Sequence, residues 1–167
     1  MDDQEHRREL EALYVRHERG LFNVAYRYVW NADDARDLVH DAFVRLWGKR
    51  ARIEWPRAAG LAYRTVLGLA ANRRRRNVVR RILGATVSAP IQPAIDDQLD
   101  AARRDDAVRR AIDRLPEKLR QVLVLCTFSE LDHAAISTLL EIPIGTVGSR
   151  RTEAVSRIRD VVTKDRT

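Results

Sequence analysis

The feature that most limits the fold of this 167-residue chain is the spacing of its apolar residues, which recur every three or four positions along most of its length. This spacing places them on one face of an α-helix, whereas a half-buried β-strand needs alternation at every second position. Such alternation is nowhere sustained. The sequence therefore predicts an all-α protein.

The N-terminal half contains three predicted amphipathic helices. The first covers residues 10–29, and the second covers residues 31–47, with asparagine or aspartate as a plausible N-cap. The third follows Pro56 and runs to about Leu83, with Gly68 as a possible break inside it. These three helices predict one small helical domain.

The composition of the sequence changes between residues 85 and 98, which are ATVSAPIQPAIDDQ. Two prolines and the lack of a helical period are typical of an interdomain linker. Shorter predicted helices follow it. We therefore expect two small helical domains, residues 1–84 and residues 99–167, joined by a flexible linker over residues 85–98.

A helix-turn-helix is predicted in the second domain by DHAAISTLLEIPIGTVGSRRTEAVSRI, a short helix, a tight turn and a longer helix. At about 100° per residue, apolar residues fall on one side of the longer helix and small polar residues on the other. A helical hairpin in some other bundle is the alternative. The residues of this helix that we assign to DNA are Gly145, Thr146, Ser149, Arg150, Thr152 and Ser156.

The segment NRRRRNVVRR, residues 72–81, holds six arginines. Helical phase places five of them within an arc of about 160°, whereas Arg75 shares the other side with apolar residues. This arrangement suits a helix that packs on its own domain and faces phosphates. The five arginines are Arg73, Arg74, Arg76, Arg80 and Arg81.

The charge of the chain favours a polyanionic partner. It carries 31 Lys and Arg against 24 Asp and Glu, a net charge of +7, and the guanidinium group of arginine matches phosphate geometry. A solvated helix end is the alternative interpretation of the arginine run. A membrane-surface patch is less favoured, because the run lacks bulky Leu, Phe or Trp residues that would insert.

Other functional classes have weaker signals. The single cysteine, Cys126, excludes a disulfide framework and predicts a buried structural thiol. Asp37 with His40 and Glu130 with His133 have the spacing of di-iron bundles, but such sites need further carboxylates from two other long helices. We therefore expect no metal, no cofactor and no catalytic residues. No stretch reaches the roughly 18 apolar residues of a membrane span, which predicts a cytoplasmic protein without membrane insertion.

Two separated motifs carry a resemblance to a known family. ADDARDLVHDAFVRLW is similar to the core-binding helix of extracytoplasmic-function sigma factors of bacterial RNA polymerase. RLPEKLRQVLVL followed by LDHAAISTLLEIPIGTVGSR resembles the promoter-reading domain of the same family. The resemblance implies that residues 1–84 are sigma region 2 and residues 99–167 are region 4. It implies an alternative sigma factor that binds core polymerase and directs promoter-specific initiation.

The resemblance also implies which residues make each contact. One face of the second helix would grip the clamp helices of the β′ subunit, with further contact to the β subunit, through Asp37, His40, Asp41, Val44 and Arg45. The third helix would bind the minus-ten element through Gly68, Asn72 and the five arginines. The helix-turn-helix would bind the minus-thirty-five element, and an anti-sigma factor would be a partner.

A stand-alone helix-turn-helix regulator remains the main alternative. In that hypothesis the N-terminal helices would serve dimerisation on a fixed operator. Its weakness is the second helix, which an operator-binding protein has no need to keep in this form.

Overall fold

The computed structural model describes the backbone of residues 2–84 and 96–164, and the side chains of residues 2–84 and 105–164. Within these ranges all regular structure is helical, which confirms the all-α prediction. Two short 3₁₀ turns, Arg50–Arg52 and Trp55–Arg57, precede the third helix. The helices are α1 (Asp3–Val29), α2 (Ala32–Gly48), α3 (Ala58–Ile82), α4 (Asp96–Arg114), α5 (Glu117–Phe128), α6 (His133–Leu140) and α7 (Ile144–Lys164).

The first domain is a bundle of α1, α2 and α3. Asp2 and Glu5 form a capping box at the start of α1, and the Asn31 side chain accepts a hydrogen bond from a backbone N–H in the first turn of α2. The bundle buries the apolar stripes of all three helices. Tyr28 and Tyr63 are the largest side chains in its interior.

The second domain consists of α4 to α7 and contains the predicted helix-turn-helix. The carboxylate of Asp132 accepts a hydrogen bond from the backbone N–H of Ala135 and so caps α6. Helix α6 ends at Leu140, and the φ of 56° at the next residue, Glu141, lies in the left-handed region. This geometry turns the chain sharply into α7, which buries Val147 and Ala154 against the domain.

Three details differ from the sequence-based predictions. Helix α3 is continuous through Gly68, so this glycine breaks no helix. An added Cβ at Gly68 would meet nothing within 4 Å. Helix α1 begins at Asp3 rather than near residue 10, because its first turns are capped although they bury little. Most of the predicted linker, residues 85–95, lies outside the described residues, whereas residues 96–98 already belong to α4.

The structure bears on two expectations from composition, which concern a membrane span and the burial of Cys126. Among the described residues, none of the helices combines the length and apolarity needed to cross a bilayer. Cys126 is a free thiol that is only partly buried, less so than the sequence suggested.

The two domains lie in direct contact. Helix α3 packs against α6, and α1 packs against α5 and α4. Because of these contacts, buried residues of both domains belong to one continuous apolar cluster, which includes Val24 and Tyr63 from the first domain and Leu125 and Ile136 from the second.

Candidate nucleic-acid and partner interface

The face of α2 that the sequence assigns to a protein partner is open to solvent. Its inner stripe is buried against α1 and α3, because apolar residues recur every three or four positions. The opposite side is polar except for one valine, Val44, whose side chain is 55% exposed. The exposed residues brought together there are Asp37, His40, Asp41, Val44 and Arg45.

A groove of about 500 Å³ runs between α1 and α2 beside this face. Asp37 and His40 line one side of it, and Tyr14 and Phe22 of α1 line the other. Arg19 and Arg36 line it as well, so acidic, basic and aromatic groups meet at one concave surface. Such a surface can receive charged and apolar side chains of a partner helix.

The arginine run on α3 divides into two groups. Arg73 donates a hydrogen bond of 2.6 Å to a carboxylate oxygen of Asp34 on α2. Arg74 donates one of 2.7 Å to the backbone oxygen of Asp113 on α4, in the second domain. The other three arginines of the predicted stripe are exposed and have no side-chain partner within the described part of the chain: Arg76, Arg80 and Arg81.

These contacts change the predicted picture of α3. Two of the five arginines assigned to DNA, Arg73 and Arg74, have carboxylate or carbonyl partners among the described residues. The apolar stripe behind them is also exposed rather than packed on its own domain. The exposed fraction is 53% at Val79, 78% at Ile82 and 78% at Leu83. The last turns of α3 thus project beyond the first domain with both faces uncovered by the described residues.

The two α3 positions assigned to base contacts lie on its solvent side. Gly68 and Asn72 are four residues apart and both are exposed. Arg75 donates a hydrogen bond to the side-chain oxygen of Asn72. The absence of a side chain at Gly68 leaves open space on this side of the helix, between Leu61 and Asn72.

Helix α7 presents its polar side to solvent as the sequence predicts. Gly145, Ser149, Thr152 and Ser156 are exposed, and Thr146 and Arg150 are partly exposed. Ser149 and Thr152 donate hydrogen bonds to backbone oxygens of their own helix, so their side chains lie close to the helix backbone and project little from its surface. A low, polar helix face is able to approach the floor of a DNA groove.

The metal-site alternative gains no support from the geometry. Asp37 and His40 point to solvent on α2. Glu130 lies 3.7 Å from His17 of α1, rather than beside His133 in a shared site. Among the described residues, no group of three or more potential ligands lies close enough to hold a metal ion.

Comparison with known proteins matches both domains of the chain to one family. The model of Sigma-70 region 2 matches residues 13–81, and the model of Sigma-70, region 4 matches residues 105–158. The chain is 26% identical to the ECF RNA polymerase sigma factor SigE of Mycolicibacterium smegmatis over 92% of its length, and 28% identical to SigW of Bacillus subtilis over 78%. The chain is an extracytoplasmic-function sigma factor of the sigma-70 family.

Coverage of the relatives differs. This sigma factor spans 62% of the length of SigE, 76% of SigW and 86% of the sigma-H factor of Pseudomonas aeruginosa, to which it is 24% identical over 95% of its own length. Among solved structures, it resembles the sigma factor RpoE in complex with the anti-sigma factor NepR from Bartonella quintana. The TM-score is 0.60, at 22% identity, over 96% of this chain and 95% of that one. The likeness of fold therefore extends over both domains.

One structural residue of the sigma factor escaped the sequence analysis. Arg120 of α5 is only 4% exposed. Its guanidinium donates hydrogen bonds to the backbone oxygens of Ile112, Asp113 and Leu115 and to the Glu117 carboxylate. It thus closes the C-terminal end of α4, whose last carbonyls lack helical partners. The sequence offers only one clue, an arginine inside the apolar run KLRQVLVL.

Burial shifts the pKa of several side chains in the interior of the protein. Burial lowers the pKa of His17, although nearby Glu130 acts in the opposite direction. Burial, and secondarily Glu117, raises the pKa of Tyr28 well above its usual value. Burial also raises the pKa of the Cys126 thiol, so at neutral pH this cysteine is protonated and a poor nucleophile.

Proposed function

We propose that this sigma factor docks on core RNA polymerase through the exposed face of α2. The observation that carries the proposal is Val44, an exposed apolar side chain set among Asp37, His40, Asp41 and Arg45 on a helix whose other side is fully buried. A helix face that contacts only solvent does not require an exposed apolar side chain among charged ones. An apolar contact ringed by charges is typical of a protein interface.

The β′ clamp helices are the partner that the family resemblance implies for this face. The groove between α1 and α2 extends the contact, and the β subunit would contribute further contacts elsewhere. The acidic residues Asp37 and Asp41 favour a basic partner surface and speed its association.

Promoter DNA is the second partner. We expect α3 to bind the minus-ten element, with Gly68 and Asn72 near an unstacked base and Arg76, Arg80 and Arg81 on the backbone. Capturing an unstacked base costs a few kcal/mol, which contacts to the open strand must repay. Arg73 and Arg74 join these contacts only when their present partners release them.

We expect the polar side of α7 to enter the major groove at the minus-thirty-five element. Thr146, Ser149, Arg150 and Thr152 lie in its first half, which in helix-turn-helix proteins contacts the base edges. In this function the chain provides specificity while the polymerase performs catalysis. We therefore propose that it has no enzymatic activity of its own and that it works in the cytoplasm, where core polymerase is found. An anti-sigma factor is a further expected partner, since the solved sigma factor RpoE was crystallised with one.

The decisive experiment adds the purified full chain to core bacterial RNA polymerase and maps the 5′ ends of the transcripts. We expect new start sites that share one upstream sequence. A chain that neither binds core nor redirects initiation would refute the proposal.

A charge reversal locates the docking face. Asp41→Arg should reduce core affinity at least 100-fold and leave the circular dichroism spectrum unchanged, because Asp41 is exposed and has no structural role. Glu9→Arg is the matched control, since it makes the same charge change on an exposed site of α1. Equal affinity of the two variants would show that the docking face lies elsewhere.

A further inference from the structure

The first two turns of α1 contact the segment that leads into α3. Among the residues of these turns, one alone is buried, His6, which is 7% exposed. Its ring lies 5.9 Å from the ring of Trp55, in the second of the two 3₁₀ turns before α3. The capping box of Asp2 and Glu5 starts the helix early enough to make this contact. These turns therefore pack on residues 49–57, which we call the basic loop.

An ion pair joins the same turns of α1 to the start of the basic loop. The Arg50 guanidinium donates two hydrogen bonds, of 2.9 and 3.2 Å, to the two carboxylate oxygens of Asp3. It also donates one of 3.1 Å to the backbone oxygen of Trp47 and lies 4.4 Å from the centre of the Trp47 ring. The hydrogen bond from Arg50 lowers the pKa of Asp3, so the pair is ionised at neutral pH. Two parallel bonds fix the plane of the guanidinium as well as its position.

The other contacts of the basic loop define its position less well. Its backbone hydrogen bonds join residues three positions apart, as from the N–H of Arg57 to the oxygen of Glu54. Such bonds shape a turn but do not connect it to the rest of the domain. Ile53 packs against the core cluster and anchors the middle of the loop. On the side of α1 the loop is held by Asp3 and His6, which we call the α1 brace.

The basic loop carries two cations that the fold does not use. Lys49 and Arg52 are exposed, and neither has a side-chain partner among the described residues. Arg50, by contrast, is paired with Asp3 of the brace. One arginine of the loop thus holds it in place, and two neighbouring cations face solvent, where a phosphate can reach them.

The basic loop borders the side of α3 that we assign to the minus-ten element. Pro56 and Arg57 line a groove of about 500 Å³ together with Leu61 of α3. Gly68 and Asn72 follow Leu61 by seven and eleven residues, which is close to two and three helical turns, so all three lie on one side of the helix. The loop therefore continues this side of α3 beyond its first turn.

We propose that the α1 brace is a positioning device for the minus-ten contact, in which Asp3 and His6 hold the basic loop so that Lys49 and Arg52 bind promoter phosphates. The role in DNA binding rests on the proposed function, because it requires α3 to lie on the minus-ten element. The brace itself does not depend on that function. Its advantage is preorganisation, since a loop already held in its bound position loses less conformational entropy on binding.

Hydrogen exchange of the full chain tests the brace without DNA. Asp3→Asn removes the charge at nearly constant size, and the fold should be unaffected, because the Asp3 side chain is 72% exposed and exposed ion pairs contribute little to global stability. We expect amide exchange in the basic loop to become about fivefold faster, since exchange reports local opening. Glu9→Gln is the matched control, because Glu9 is an exposed carboxylate of α1 without a partner among the described residues. Equal exchange of the loop in the two variants would overturn the brace.

Promoter binding by the holoenzyme tests what the brace does. Electrostatics alone predicts that loss of an acidic side chain raises the affinity for DNA. The proposal predicts the opposite for Asp3→Asn. It should bind a duplex taken from one mapped start site about fivefold more weakly at 0.15 M salt, and the slope of log affinity against log salt concentration should fall by about 0.9, as expected for the loss of one phosphate contact. Glu9→Gln should bind at least as tightly as the unmodified chain. Unchanged or tighter binding by Asp3→Asn would refute the positioning role.

A double-mutant cycle shows whether Asp3 acts through the loop cations. Lys49→Gln combined with Arg52→Gln removes both cations, and in that background Asp3→Asn should cause no further loss of affinity. The same fivefold loss in both backgrounds would contradict the proposal, because Asp3 would then act independently of these cations. Failure of the proposed function would appear separately, as an unmodified chain that redirects no transcription start site, and the exchange measurement would still decide whether the brace exists.

Discussion

Replacement of Arg120 tests the physical account of the second domain. Arg120→Met keeps the apolar stem and removes the guanidinium, which makes four hydrogen bonds in a site where the residue is 4% exposed. The acceptors are not affected equally. The backbone oxygens of Ile112 and Asp113 keep other donors, from Leu115 N–H and from Arg74 respectively.

The expected loss of stability follows from this inventory. The backbone oxygen of Leu115 loses a short bond of 2.6 Å and is left buried without a donor, which costs about 1–3 kcal/mol. Loss of the charged bonds to the other acceptors adds about 1–2 kcal/mol, because they keep a partner. We therefore expect Arg120→Met to lower the free energy of unfolding by about 3 kcal/mol.

Urea denaturation, monitored by circular dichroism at 222 nm to report helix content, measures this loss of stability. With a denaturant slope of about 2 kcal/mol per M, the midpoint should fall by about 1.5 M. The urea midpoint of Arg120→Lys should lie between those of the unmodified chain and Arg120→Met, because a single ammonium group cannot reach all the acceptors. Arg157→Met removes an exposed arginine of α7 and should shift stability by no more than about 0.5 kcal/mol. A loss below about 0.5 kcal/mol for Arg120→Met would refute the capping role.

Three further predictions concern other sites. Gly20→Ala should destabilise the chain by about 2 kcal/mol in urea denaturation, because the added Cβ would lie 2.1 Å from the hydroxyl oxygen of the buried Tyr63. Gly60→Ala, with open space around the added Cβ, should stabilise the chain by about 0.5–1 kcal/mol. A change in the free energy of unfolding with the same sign for both variants would contradict this account. The pKa of His17 is lowered by burial, so its contribution to stability is present above the unfolded pKa of about 6.5 and lost as pH falls below it. His17→Gln should therefore flatten the pH dependence of the urea midpoint between pH 7.5 and 5. An unchanged profile would exclude this histidine as the source of that pH dependence. Arg76→Ala should reduce the slope of log affinity for DNA against log salt concentration by about 0.9, and an unchanged slope would mean that this arginine contacts no phosphate.

The sequence predicted most of the secondary structure and the outward surfaces, because these depend on residues close together in the chain. The spacing of Leu38, Ala42 and Leu46 is enough to show which side of α2 is buried, and therefore that Asp41 and Val44 are exposed. The cap at Asp132 and the turn at Glu141 are local in the same way. The assignment of these exposed residues to polymerase and to DNA stays a prediction.

The neighbours of polar side chains could not be predicted in this way. Helical phase grouped Arg73 and Arg74 with three other arginines, but both have partners 39 residues away in the sequence. Phase gives the direction of a side chain around its own helix, and it contains no information about which helix lies opposite. For the same reason the apolar stripe at Val79 and Ile82 was expected to be packed, and it is exposed.

The chain's own sequence thus determined that it is helical and which helix faces are apolar, since hydrogen bonding and periodicity act over three or four residues. Only the tertiary structure decided that the two domains close on each other. The bond between Trp30 and Asp113 joins residues 83 positions apart, and the buried Arg120 satisfies carbonyls of a neighbouring helix. Contacts of that kind arise from how whole helices pack, which no local pattern in the sequence encodes.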